Sequence, residues 1–154
     1  HGTWSVLAQM FPMADIPVFQ LSIDYSKPPQ WHYDLAKELE WLRNKGVLII
    51  GSGNIVHNLR HYAWASAVSG EPAEPHDWAL RWDARTAELL LAGDHQPLIN
   101  YRQQGRDAQL AIPTPDHWLP LLYILGAAQP GEPVSFSVEG IDGGSISMRA
   151  VQVG

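Results

Sequence analysis

At 154 residues the chain is long enough for one domain with a sizeable core. Its net charge of −6, with ten basic residues and no basic run, argues against nucleic acid or an anionic membrane as a partner, since both need clustered Lys and Arg. There is no cysteine, which excludes disulfides, zinc fingers, iron–sulfur clusters and thiolate nucleophiles, so any metal must be held by His, Asp, Glu or backbone oxygen.

In chain order, the sequence opens on His1-Gly2-Thr3-Trp4, read as a loop. A free N-terminal His is able to chelate copper in a mature secreted protein, and a segment cut from a longer chain could begin the same way. Trp4, Val6, Leu7, Met10 and Phe11 then give helical spacing. Residues 16–23 read as a strand with Pro17 near its start, where proline is tolerated. After Lys27-Pro28-Pro29 the spacing predicts a helix over 30–44, with Trp31, Leu35, Leu39 and Leu42 as its buried stripe, His32 as a capping or surface residue, and Gly46 as the C′ glycine.

Residues 45–50 form a short apolar, β-branched run and read as a buried strand. Gly51 and Gly53 break it and let the backbone turn, and His57 follows just beyond the strand's C-terminal end, where ligands and catalytic groups collect in open α/β sheets. A helical or irregular segment starts at Asn58. A polar, proline-rich surface loop covers 69–75, and a second amphipathic helix covers 78–91 with Trp78, Leu80, Trp82, Ala87 and Leu90 as its packed side. His61, His76 and His95 read as surface or loop residues rather than ligands.

The second informative stretch is Pro113-Thr114-Pro115-Asp116-His117-Trp118. Thr114 suits an N-cap and Pro115 the first helical position, which places His117 in the first turn of an apolar helix ended by Gly126. There the helix dipole disfavours imidazolium and leaves the ring neutral, available as a ligand or base. The longest apolar stretch, 118–128, contains Pro120 and is too short to span a bilayer. With no signal peptide visible, a cytoplasmic location is the default. Residues 134–138 and 145–153 alternate as two strands joined through 140–144. The alternation of helix and strand patterns makes the fold class α/β, a central mixed β-sheet flanked by helices, with no internal domain boundary.

His57 and His117 each sit at a loop-to-element junction. A cysteine-free site of imidazoles suits Fe(II), Zn(II), Cu or Ni, and the chemistry alone leaves a hydrolytic zinc site and an oxygen-activating iron site open. No nucleophile elbow, Walker loop or dinucleotide fingerprint is present.

Four stretches carry a resemblance: residues 1–4, residues 20–24, Ser52-Gly53-Asn54-Ile55-Val56-His57-Asn58-Leu59, and residues 113–122. Together with 144–148 and the ending Val151-Gln152-Val153-Gly154, they resemble the class III extradiol ring-cleavage dioxygenases, in the DOPA dioxygenase-type branch, over essentially the whole chain. Members of that family begin with an N-terminal half holding a Gly-His-Gly-Ser-Pro-type loop and a Ser-Ala-His-Trp-type strand end, whose histidines bind the metal. Nothing in residues 1–154 matches either. The resemblance therefore implies that 1–154 is the C-terminal portion of one catalytic domain, inactive by itself, with His1 at a cut point.

Residue by residue, the resemblance implies that His117 is the C-terminal metal ligand. His57 is the acid/base beside the metal, or itself a ligand, and His1 is a substrate-side catalytic histidine. It implies Fe(II) for activity, with Zn(II) as a possible bound metal, and O₂ and a small aromatic diol such as DOPA as the reactants. The rival expectations are a zinc-binding homologue without dioxygenase activity, acting as a hydrolase or binding protein, and a non-catalytic domain with a structural or interaction role.

Overall fold

The computed structural model of the protein describes residues 2–154. Helices dominate it. In chain order they are α1 (Gly2–Met10), α2 (Pro29–Lys37), α3 (Trp64–Ser69), α4 (Asp77–Leu91), α5 (Gln96–Ile99), α6 (Arg106–Ala111) and α7 (Leu119–Gly126), with 3-10 turns at Glu40–Lys45 and Tyr101–Gln103. Strands follow at β1 (Val134–Val138), β2 (Ile141–Asp142), β3 (Ile146–Ser147) and β4 (Ala150–Val153). No helix among the described residues is long and apolar enough to cross a membrane.

The core gathers where α4, α5, α6 and α7 meet. Trp82 of α4, Tyr101 and Trp118 form an aromatic cluster, with Trp118 lying 5.6 Å, centroid to centroid, from each of the other two. Leu89, Leu90, Leu98, Leu119, Leu122 and Leu125 surround it, and the buried Trp118 indole donates to the Leu98 carbonyl at 3.2 Å. The helix expected over 78–91 is present. Trp82 and Leu90 are buried in it as expected, whereas Leu80 is exposed and the polar Asp83 and Thr86 are buried in its place.

The expected helix over 30–44 is divided. It ends at Lys37, re-forms as the 3-10 turn, and Gly46 caps that turn in the left-handed region at φ 76°. Its inward face is also not the expected one: His32 and Ala36 are fully buried, while Trp31 is exposed. Gly126 of α7 gives the physical reason. A Cβ there would lie 2.4 Å from the Tyr33 carbonyl oxygen and 2.7 Å from the Ala36 Cβ. The two helices are close enough that small residues, Ala36 and Gly126, are needed where they cross; Trp31 of the expected stripe is turned out, and Leu35, Leu39 and Leu42 are half-buried. His32 enters the same contact edge-on, its Nδ1 2.9 Å from the Tyr123 hydroxyl.

The central mixed sheet expected from the sequence is not seen among the described residues. Among the described residues the strands pair only as two antiparallel two-stranded sheets, β1 with β4 and β2 with β3, the shorter hairpin nested inside the longer. The run expected as one strand over 145–153 is interrupted at Met148 and Arg149. There the Met148 amide donates to the Gly140 carbonyl, and the Arg149 amide to Ser147 Oγ. The runs at 16–23 and 45–50 are expected as strands, the second as buried; apart from Lys45, the last residue of the 3-10 turn, they lie outside any helix or sheet. Leu48 is 66% exposed, and Val18, Phe19 and Ile50 are also exposed. The apolar β-branched composition was read correctly, but a strand needs a partner ladder, and the described residues supply none.

Burial pushes the His32 pKa below its ordinary 6.5, against the opposing pull of the Lys27 and Asp24 backbone oxygens and the Asp24 carboxylate. Burial likewise lowers His95, against Asp94. The unfolded chain therefore binds protons below about pH 6.5 that the folded chain resists, so this part of the stability is present above that pH and lost as pH falls through it. The melting temperature is expected to fall between about pH 7.5 and about pH 5.5. A His32→Gln variant, less stable at neutral pH, should show a shallower fall in a series of calorimetric scans.

Candidate functional site

The segment from Gly53 to Asn58 runs between two others, residues 110–117 on one side and β3 on the other. The Asn54 amide donates to the His117 carbonyl at 3.1 Å and the His57 amide to the Ala111 carbonyl at 2.9 Å. Opposite them, the Asn58 amide donates to the Ser145 carbonyl at 3.2 Å and the Ser147 amide to the Val56 carbonyl at 2.9 Å. His57 also pairs with Ile146 in an isolated antiparallel bridge. Three side chains complete the lacing: Asn54 Nδ2 donates to the Ser147 carbonyl, Asn58 Nδ2 to the Leu110 carbonyl, and the buried Ser145 hydroxyl to the Asn58 carbonyl.

The glycines before this segment serve a different purpose from the one expected. Neither has a left-handed φ; both permit close approach. A Cβ on Gly53 would lie 2.2 Å from the His117 carbonyl oxygen, and one on Gly51 would lie 2.6 Å from the Pro120 carbonyl oxygen. The bare backbone is what allows 51–54 to press against the loop that carries His117.

The result is that His57 and His117 meet. Their imidazoles stack with centroids 3.5 Å apart and planes 5° from parallel, both half-buried. Burial lowers the His57 pKa below 6.5, and a charge on the facing His117 lowers it further, while Asp116 pulls the other way. Burial pushes the Asp116 carboxyl up, but a hydrogen bond from Thr114, its own backbone and the two imidazoles outweigh that and hold it below the ordinary carboxylate range. Asp116 Oδ2 stands 3.8 Å from His117 Nε2, beyond hydrogen-bonding reach.

His117 is not in the first turn of its helix. α7 begins at Leu119, and the Pro115 carbonyl accepts from the Trp118 and Leu119 amides in a turn that precedes it. Thr114 is not the N-cap, and the dipole argument for a neutral His117 loses its basis. Asn54 takes over the positioning role, with its Oδ1 2.9 Å from His117 Nδ1. Sequence reasoning missed this residue. Its only signal was its place after Gly53, where a short amide-bearing side chain can reach across a close backbone contact.

As metal-binding groups the two histidines differ. Two rings stacked at 3.5 Å hold their in-plane lone pairs in separate planes, whereas an ion at about 2.1 Å from both nitrogens would have to lie in both planes at once. One ring of the pair, not both, fits an ion in this arrangement. His117, with Nδ1 engaged and Nε2 left over, is the one suited to it. Among the described residues no group of three His, Asp or Glu side chains could enclose a metal.

The third candidate, His1, lies outside the described residues. His32, expected at the surface, is buried against α7 and away from the pair. His95 is half-buried, held by the Tyr33 hydroxyl. His61 and His76 pack against each other and against Trp78 at the edge of the fold.

With this geometry in place, comparison with known proteins is informative. Residues 1–142 match the family described as the catalytic LigB subunit of aromatic ring-opening dioxygenase. The chain is 45% identical over 157 residues to a protein of Escherichia coli (strain K12) named 4,5-DOPA dioxygenase extradiol, covering 100% of this chain and 56% of that relative. It is 33% identical over 147 residues to the Beta vulgaris protein of the same name, covering 96% and 53%. The crystal structure of an uncharacterised protein from Escherichia coli K12 superposes with a TM-score of 0.84 at 44% identity, covering all of this chain and 62% of that one. The chain thus spans a little over half the length of these relatives.

The close approach at Gly53 gives a direct test. Gly53→Ala places a methyl against the His117 backbone, and the expected cost is about 1–3 kcal/mol of stability, the usual range for overpacking. Urea denaturation measures it. Gly131→Ala, at a site with nothing within 4 Å but a left-handed φ of 82°, is the control for backbone strain alone, and it should leave the His57–His117 contact intact by NMR while Gly53→Ala disturbs it.

Proposed function

The chain belongs to the LigB family of class III extradiol dioxygenases, and from that premise we propose that it forms part of a non-haem metal-dependent enzyme that opens the ring of a catechol, DOPA or a related aromatic diol, with O₂. The observation that carries this reading is the convergence of His57 and His117 from distant parts of the sequence into one stacked pair, within a chain similar over its full length to a 4,5-DOPA dioxygenase extradiol.

The roles divide by how each ring is held. His117 is the metal ligand: its Nδ1 is engaged by Asn54, so Nε2 is the nitrogen that faces an ion. When bound, an Fe(II) ion supplies Lewis acidity toward the two diol oxygens and an open position for O₂. His57 is the acid/base. Its pKa is lowered by burial and by the facing imidazole, so at neutral pH it is an uncharged acceptor for a hydroxyl proton of the diol. Half-burial of the pair limits water at the nitrogen that takes the proton. The remaining ligands, and the substrate-side role of His1, lie beyond what residues 2–154 supply.

In the intact enzyme His117→Ala is expected to lose its metal and all activity. His57→Gln should keep most of its metal and slow turnover by about 100- to 10,000-fold, the usual contribution of a positioned general base. Elemental analysis beside oxygen uptake with DOPA separates the two. Loss of metal in His57→Gln as complete as in His117→Ala would make His57 a ligand. Tight zinc with no oxygen uptake in the unaltered enzyme would overturn the dioxygenase reading.

A further inference from the structure

We propose that Asn54 is the positioning residue that fixes the tautomer of His117, forcing its proton onto Nδ1 and leaving Nε2 as a bare lone pair. The proposal rests on the reading of His117 as a ligand for its consequence, but not for its geometry.

The argument starts from a carbonyl. The Ser147 backbone oxygen has no proton to give and is able only to accept. It lies 2.9 Å from one end of the Asn54 amide, so that end is the NH₂ group. The other end, 2.9 Å from His117 Nδ1, is then the oxygen and also only accepts. A neutral His117 satisfies it only with its proton on Nδ1. Turning the amide over would set its oxygen against the Ser147 carbonyl oxygen and lose that hydrogen bond, which is the cost of presenting NH₂ to a bare Nδ1 instead.

The Ser147 carbonyl is itself held in place. Ser147 pairs with Ile141 across the β2–β3 hairpin, and its amide is bonded to the Val56 carbonyl. Its buried hydroxyl donates to Asp83 Oδ1 at 2.6 Å, and Asp83 is in turn clamped by Arg149. On the far side of the His117 ring, the Asp116 carboxylate stands near Nε2. At 3.8 Å it does not form the hydrogen bond that would draw the proton there. The hydrogen bond at Nδ1 therefore favours the proton there, against the weaker pull of Asp116 on Nε2. A ligand imidazole held through its other nitrogen is both oriented and made a better donor, an effect worth about 10- to 100-fold in metal affinity.

The test reads the tautomer directly, in the metal-free intact protein, by long-range ¹H–¹⁵N correlation of the His117 ring. The unaltered protein is expected to show the proton on Nδ1. Asn54→Leu, which removes the acceptor, should redistribute it toward Nε2 and weaken Zn(II) or Fe(II) binding by about 10- to 100-fold. Asn54→Asp, which keeps an acceptor oxygen beside Nδ1, should hold the proton there and retain most of the affinity.

A proton on Nε2 in the unaltered protein overturns the proposal, whether or not Asn54→Leu folds. So does an Asn54→Leu protein with unchanged tautomer and affinity, or an Asn54→Asp protein as impaired as Asn54→Leu in both measurements. If the tautomer responds as stated but the unaltered protein binds neither metal, the fixing role of Asn54 stands and the assignment of His117 as a ligand fails.

Discussion

The constraint on which the rest of this structure depends is the placement of the 53–58 segment, which makes strand-like contacts on two sides without belonging to a sheet. One edge is bonded to the Ala111 and His117 carbonyls and the other to Ser145 and Ser147. An extended segment leaves its backbone groups unsatisfied unless neighbours take them up. Here irregular neighbours do so, helped by the side-chain amides of Asn54 and Asn58, which reach backbone groups the ladder leaves over. Any displacement of this segment moves His57 and His117 together, because the same bonds locate both.

Behind β3 the lacing ends in charge. Asp83 and Arg149 face each other at 2.6 Å with side chains 10% and 8% exposed. Arg149 also lies over the Phe136 ring and reaches Glu139. A pair so thoroughly removed from water adds little net stability by itself. Removing one partner, however, leaves a stranded charge and costs about 3–5 kcal/mol. Its position explains why the structure tolerates it. It joins α4, which is rooted in the aromatic core, to the Ser147 corner on which Asn54 depends, so the geometry of the histidine pair is referred back to the packed core.

What was legible in the sequence were features set by local chemistry. The α4 helix, the apolar helix before Gly126, the left-handed cap at Gly46 and the terminal hairpin all follow from periodicity and glycine placement. His57 and His117 stand out in the sequence by their place at loop-to-element junctions, and the structure brings their rings together. What was not legible depended on distant partners. The 16–23 and 45–50 runs have strand composition, but a strand is a relation between two segments and composition describes one. Gly51 and Gly53 looked like turn glycines, and only the 2.2 Å and 2.6 Å approaches to residues far along the chain show them to be contact glycines. His32 looked like a surface residue because nothing near it announces Gly126, ninety-four positions later in the numbering, as the gap it helps to fill.

The stacked pair also limits its own chemistry. Two imidazoles 3.5 Å apart do not both carry a proton without strong repulsion, and after burial this is the second cause that lowers the His57 pKa. His117 is anchored through Nδ1 and through its backbone carbonyl, which receives the Asn54 amide. The His57 ring is held by the stack, by burial and by a hydrogen bond to its own backbone. Positive charge gained on the His117 side, as a proton or as a metal ion, makes His57 harder to protonate and keeps it a base. Asp116, held ionised beside both rings, offsets part of that effect. The ring with fixed orientation is suited to holding, and the ring with tunable basicity is suited to moving a proton. That asymmetry arises from one amide side chain present on one side of the stack and absent on the other.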